Sequence, residues 1–134
     1  MNYTIYIYEK KMESFFWDNI KEFTKRLGRY CKIRIIPLKK EQDIEKIKQT
    51  GGIHCVLTEK GNTFPSEAFA DWIHQLEVHG TSSCTFYIHC EPPFEWNEEG
   101  CISKLTMAPG LTAAILCEQI YRSYRIIHGQ PYHK

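Results

Sequence analysis

A chain of 134 residues with 43% hydrophobic and 25% charged content falls in the range of one globular domain, and it has apolar material for one core. Its apolar runs fall far short of the roughly 20 residues that a membrane span requires, and the opening MNYTIYIYEKK lacks the apolar segment of a signal peptide. A soluble cytoplasmic protein is therefore expected, with neither membrane nor DNA as a partner. The formal charge of +1 conceals an asymmetry: residues 1–50 hold twelve of the 17 basic residues and only seven of the 16 acidic ones, a balance that suits either a phosphate backbone or a solvated helix face.

Tyr3 to Tyr8 is rich in β-branched and aromatic residues and predicts a strand, and Phe16, Ile20, Phe23 and Leu27 then recur at helical spacing up to Gly28. Cys31 to Leu38 predicts a second strand, and Lys39 to Thr50 a polar helix whose apolar pair is Ile44 and Ile47, ended by Gly51 and Gly52. Ile53 to Thr58 predicts a third strand running into a turn at Lys60, Gly61 and Asn62. A helix from Ser66 through Phe69, Ile73 and Leu76 to Gly80 follows. Cys84 to Cys90 predicts a fourth strand. Pro92 and Pro93 place Glu91 to Gly100 in a loop, and Ser103 to Met107 predicts a short fifth strand. From Gly110 to His128 the apolar positions Leu111, Ile115, Cys117, Ile120, Tyr121, Tyr124 and Ile127 predict a long buried helix, stopped by Gly129 and Pro131. Strands alternating with helices imply crossover connections, hence an α/β three-layer sandwich with a mostly parallel sheet.

The six cysteines fit no Cys-x-x-Cys pattern and lie mostly in apolar elements, where reduced thiols serve as small hydrophobes. The pairs His54-Cys55 and His89-Cys90 fall at opposite ends of their strands, so no metal site is expected from them. Neighbours on a strand point to opposite faces, which also separates Cys90 from His89 as a thiol and base pair. No Walker A sequence, dinucleotide fingerprint, nucleophile elbow or His-Glu-x-x-His pattern is present. Lys21, Lys25, Arg26, Arg29 and Lys32 form the densest basic cluster.

The final run CEQIYRSYRIIHGQPYHK closely resembles the end of RlmH proteins, in which Tyr-Arg on a helix is followed by a Tyr-His-basic tail. The first strand, the aromatic helix and the segment Lys25-Arg26-Leu27-Gly28 through Tyr30 and Lys32-Ile33 resemble that family's first βαβ unit. With the strand and turn through Leu57 and Gly61, the resemblance covers nearly the whole chain as one domain, residues 1–134. It implies a SPOUT fold with a C-terminal trefoil knot and a homodimer. It also implies transfer of a methyl group from S-adenosylmethionine to N3 of a pseudouridine in large-subunit ribosomal RNA.

The cofactor-binding residues implied are Leu57, His89, Cys90 and the loop Ile102, Ser103, Lys104, Leu105, Thr106 and Met107. The tail residues Tyr132 and His133 would be catalytic, an imidazole there being able to act as a general base. Lys25, Arg26, Arg29, Arg122, Arg125 and Lys134 are the expected RNA contacts. The sequence departs from the family where a Gly-Gly pair would follow the fourth strand, since it has His89-Cys90 and then Glu91-Pro92-Pro93. It also has Ala108-Pro109 in place of Pro-His, Ala113 in place of an arginine, and a shorter loop before Cys101. These changes predict that the donor binds weakly or not at all, and they leave open a second role, that of a dimeric module that binds RNA or another partner without the donor.

Overall fold

The computed structural model describes residues 1–132. Its elements in chain order are β1 (Asn2–Tyr8), α1 (Ser14–Leu27), β2 (Lys32–Leu38), α2 (Glu41–Glu45), β3 (Ile53–Asn62), α3 (Ser66–Val78), β4 (Ser83–Ile88), β5 (Glu98–Gly100) and α4 (Pro109–Ile127). All strand pairs are parallel, in the order β2-β1-β4-β3-β5. Strand β4 is central, and its run Cys84 to Ile88 is buried on both faces, which explains a sequence that is apolar but for Thr85 and does not alternate. Strand β1 alternates instead, with Tyr3, Ile5 and Ile7 buried beneath helices and Tyr6 and Tyr8 turned to the other face.

The two faces are covered unequally. Helices α1, α3 and α4 pack on one face through Ile20, Leu27, Phe69, Ile73, Leu116 and Ile120. The other face has only α2 and the segment after β4, whose Phe94 and Trp96 close a smaller cluster with Leu38, Ile47, Val56 and Tyr87. Within this second layer Tyr6 stacks on Tyr87 at 5.5 Å. The buried His54 receives the Tyr87 hydroxyl proton at Nδ1 and donates from Nε2 to the Thr50 carbonyl, both at 2.8 Å. Both ring nitrogens are thus occupied, which makes His54 a core histidine.

Three expectations from sequence change. The predicted fifth strand at Ser103 to Met107 is loop, and the strand that pairs with β3 lies upstream at Glu98–Gly100, inside the segment expected to be loop. Only three residues long and bearing two exposed glutamates, β5 is an edge strand protected by charge. Helix α2 stops at Glu45, because only Ile44 and Ile47 reach the core and Lys48 to Thr50 have nothing to bury. The expected turn at Lys60 to Asn62 is instead an irregular continuation of β3, with a register shift between Leu57 and Asn62.

Helix α4 lies between α1 and α3, with its first turn at the carboxyl end of the sheet and its last at the amino end. A methyl at Gly110 would meet Phe16 at 2.5 Å, so the first turn seats directly on α1. At the far end the Tyr3 and Tyr124 hydroxyls share a buried hydrogen bond of 2.8 Å. Burial holds both tyrosines above the usual phenol range and pushes the Cys31, Cys55 and Cys117 thiols up to about 12. Groups kept protonated by folding contribute stability that is complete below their unfolded values and is lost as pH rises toward the folded ones. Urea midpoints should therefore hold steady to about pH 8 and fall progressively above it as unfolded thiols and then phenols ionise. Tyr3→Phe together with Tyr124→Phe should soften the part of this fall that begins near pH 10.

Candidate functional site

The residues picked out by sequence separate into two groups at opposite ends of α4. At the carboxyl end of the sheet, β3 and β5 are held together by a contact between glycines: a Cβ on Gly61 would sit 2.8 Å from the Gly100 carbonyl carbon. No larger residue at Gly61 permits this approach without moving β5. The loop that follows Cys101 folds back over the junction, where Lys104 Nζ donates to the Gly61 carbonyl at 2.5 Å and Ser103 Oγ accepts from the Leu105 amide at 3.0 Å. Leu57 and Ile102 open onto a cavity of about 530 Å³ between this junction, α3 and α4. Its walls are mainly apolar, from Phe64, Phe69, Trp72 and Ile115, with Asn62, Ser66, Gln119, Glu98 and Glu99 supplying the polar positions.

The other expected cofactor residues stand differently. Ser103, Lys104, Leu105, Thr106 and Met107 form the loop above the junction and do not line the cavity, and Leu105 is 76% exposed. Cys90 packs into the smaller cluster on the opposite face, and burial pushes its thiol up to about 12, against a smaller lowering by a hydrogen bond with the Ile88 backbone. That thiol is no nucleophile at neutral pH. His89 is exposed and has φ 59°, the only positive φ outside glycine among the described residues. A left-handed turn is cheap for glycine and costs other residues about 1 to 2 kcal/mol. The chain therefore keeps at His89 the backbone conformation suited to glycine, without the glycine.

The second group gathers where α1 and α4 end. Arg122 Nη2 pairs with Glu118 Oε1 at 2.7 Å, and the Arg122 guanidinium lies 4.9 Å from the Tyr132 ring centre. The Tyr132 hydroxyl donates to Glu118 Oε1 at 3.1 Å, and its ring meets Tyr121 edge-on. Arg125 donates to the Pro131 carbonyl at 3.0 Å and to Gln130 Oε1 at 3.1 Å, and the Tyr30 hydroxyl also donates to Gln130. The tail up to Tyr132 is thus fastened to α4. Burial and then Glu118 raise the Tyr132 pKa, so its hydroxyl is a hydrogen-bond donor and not a base near neutrality.

Arg26 lies over the rings of Phe23 and Tyr121, and Arg29 lies over Tyr30, which brings the cations of α1 and of the turn after it beside the arginines of α4. Lys25 is exposed next to them. His133 and Lys134 lie outside the described residues. Sequence reasoning found the arginines and tyrosines of this cluster but missed their anchors Glu118, Gln130 and Tyr30. It also missed the Gly61 and Gly100 contact, which no spacing rule reveals because the two lie on different strands.

The family profile described as "Predicted SPOUT methyltransferase" matches residues 1–133. The chain belongs to this family. It is 36% identical over 134 positions to "Ribosomal RNA large subunit methyltransferase H 1" of Thermoanaerobacter sp. (strain X514), with all of both chains covered. It is 35% identical to "Ribosomal RNA large subunit methyltransferase H" of Clostridium beijerinckii and 34% identical to that of Clostridium acetobutylicum, again over the whole of both chains but across 159 positions. The Clostridium relatives thus carry additional residues, whereas the Thermoanaerobacter relative is no longer than this SPOUT chain. A short chain is therefore compatible with the methyltransferase name.

His89 gives a direct test of the turn after β4. His89→Gly should be neutral or stabilising by up to about 1 kcal/mol, because relief of the left-handed strain outweighs the added freedom of the unfolded chain. His89→Val should destabilise by about 1 kcal/mol or more, since a β-branched residue tolerates positive φ poorly. Denaturant titration of the three proteins measures both effects.

Proposed function

We propose that this SPOUT chain is a homodimeric S-adenosylmethionine-dependent methyltransferase of large-subunit ribosomal RNA, acting on N3 of a pseudouridine in the cytoplasm. The observation that carries the reading is the 530 Å³ cavity onto which Leu57 and Ile102 open, at the strand end where Leu57 pairs with Ile88, the residue before the left-handed backbone of His89. That volume lies within the range of about 300 to 1,000 Å³ typical of small-molecule sites. Its apolar walls suit a nucleoside ring, and Glu98 and Glu99 suit a cationic group, so the residues present fit the donor.

When bound, S-adenosylmethionine supplies a methyl carbon made electrophilic by its sulfonium. Leu57 and Ile102 at the cavity wall would hold and orient it, the backbone of the Ser103–Met107 loop would meet it from above the junction, outside the cavity, and apolar contacts would keep water from the transfer path. His133 accepts the proton that leaves N3 as the nitrogen forms its new bond. Tyr132, held by Glu118, Tyr121 and Arg122, fastens the start of the tail to α4. Lys25, Arg26, Arg29, Arg125 and Lys134 carry the phosphate contacts that fix the RNA register.

Helix α4 spans 19 residues, about 28 Å, and keeps the donor loops and the tail of one chain at different ends. An antiparallel partner would bring the tail of one chain to the loops of the other, which is the arrangement we propose. Ile115 remains half-exposed and Leu111 is 38% exposed on the outer face of α4, whereas Tyr121 and Tyr124 are buried within their own chain. The dimer contact therefore centres on Leu111 and Ile115. Light scattering should give twice 15.8 kDa at tens of micromolar, and Ile115→Glu should return the monomer without loss of helical signal. A monomer from the unaltered protein contradicts the arrangement.

A second reading, an RNA-binding dimer without donor chemistry, is favoured by Pro92 and Pro93, which remove two amide donors after β4. Calorimetry separates the two. Saturable binding of S-adenosylmethionine with Kd at or below about 0.1 mM supports the enzyme, while no heat up to about 1 mM with RNA affinity retained supports the binding module.

A further inference from the structure

The strand order reverses between β1 and β4, because the chain leaves β1 toward β2 on one side and returns through β3 and β4 on the other. In open α/β sheets, ligands settle at the carboxyl ends of the strands beside such a reversal. Next to it lies a second cavity of about 250 Å³, formed by the end of β1, the turn into α1 and the end of β2. It is below the usual size for a whole cofactor, and it suits one flat ring system. None of the residues identified so far as binding the donor or carrying the tail lines it.

Its chemistry is specific. The floor is apolar, from Ile7, Pro37, Met12 and the half-exposed indole of Trp17. The rim carries Lys10, Lys11 and Lys39, all exposed and none in an ion pair among the described residues. Glu9 lines the wall, and its Oε2 is shielded from solvent and from the cavity, with no hydrogen-bond partner among the described residues. A carboxylate oxygen without a donor is costly, and a small rotation of the side chain that brings it to a ligand N–H in the cavity supplies one. A ligand that satisfies all three features has a flat face for the indole, an N–H on its inner edge for Glu9 and a negative charge at its outer edge for the lysines. A nucleotide with its Watson–Crick edge unpaired has this arrangement. A bare anion would meet the repulsion of Glu9, and a paired base has no free edge.

The cavity is also placed to serve the reaction. Met12, on its wall, is the residue whose sulfur would lie 2.9 Å from a Cβ at Gly110, in the first turn of α4 just after the donor loop. The β1 and β3 strands are two sheet spacings apart, about 10 Å, so a short run of extended nucleotides bridges this cavity and the end of β3. We propose that this cavity is a nucleotide subsite that captures one unpaired RNA base near the target, stacking it on Trp17 and reading its N–H edge with Glu9 while Lys10, Lys11 and Lys39 hold the phosphate. Guanine is the preferred base, because its edge offers two adjacent N–H donors where adenine offers a donor beside an acceptor. The proposal rests on the RNA reading given above.

The test uses the full chain and uridine hexamers containing a central guanosine or adenosine, with binding followed by fluorescence anisotropy. The guanosine oligomer should bind several-fold more tightly than the adenosine one, and Glu9→Gln should shrink that ratio toward one. Trp17→Leu should weaken binding of both by roughly 5- to 100-fold, with Trp17→Phe restoring most of it, since stacking tolerates a change of ring but not its loss. Lys10→Gln with Lys39→Gln should flatten the slope of log affinity against log salt by about 1.4. Calorimetric affinity for S-adenosylmethionine should stay as in the unaltered chain throughout. RNA binding that ignores all of these changes overturns the subsite and leaves the methyltransferase reading standing. Absence of RNA binding by the unaltered chain overturns both.

Discussion

The burial of α4 against β1, α1 and α3 is the constraint from which the rest of the structure follows. The Tyr3–Tyr124 hydroxyl pair fixes the end of the helix against the first strand, and Gly110 lets its beginning seat on Phe16. Between these points the helix has no freedom to tilt, because Ala113, Cys117 and Ile120 are fully buried under the sheet. A rigid helix of this length determines where its two flanking segments go. The loop from Cys101 is placed over the β3–β5 junction, and the tail is laid back along the last turns.

Each flanking segment is then fastened by its own chemistry. At the front, Lys104 reaches the Gly61 carbonyl across a junction that exists because Gly61 and Gly100 have no side chains. At the back, Arg125 and Gln130 tie Pro131 to Tyr30, and Glu118 holds Tyr132 beneath Arg122. The arginines there do two things at once. They position the tail through directed hydrogen bonds, and their charge adds to that of Arg26 on α1 and Arg29 in the turn after it. Charge removal at Arg125 therefore disturbs tail geometry as well as electrostatics, while Lys25, exposed and without an ion pair among the described residues, carries charge alone.

Much of this was legible in the sequence where a single periodicity governs an element. The alternation of Tyr3 to Tyr8, the helical spacing of Phe16 to Leu27 and the largely apolar run of β4 each correspond to one buried face or two. Strand β5 was not legible, because Glu98, Glu99 and Gly100 have no strand propensity and are extended only through pairing with β3. Ser103 to Met107 reads as a short, partly buried strand, yet Leu105 and Lys104 are exposed, so no packing rewards an extended ladder there. The tail cluster was visible as a set of residue types, but its partners lie up to about 100 residues away in sequence, and only the fold brings Tyr30 to Gln130. The left-handed turn at His89 is hidden for a different reason: the sequence carries no glycine there to announce it.

With the proposed donor residues and the proposed tail residues at opposite ends of α4, one reaction would require two chains. Complementation between two variants tests this most directly: Ile102→Glu, with a charge introduced at the donor cavity, and a chain ending at Pro131, without the tail. Each alone should be inactive in methyl transfer to large-subunit RNA, and co-refolding them in equal amounts should restore roughly a quarter of native activity, because half of the dimers then hold one intact site. Activity in the tail-less chain alone, or no recovery from a mixture shown by native mass measurement to contain mixed dimers, would contradict it.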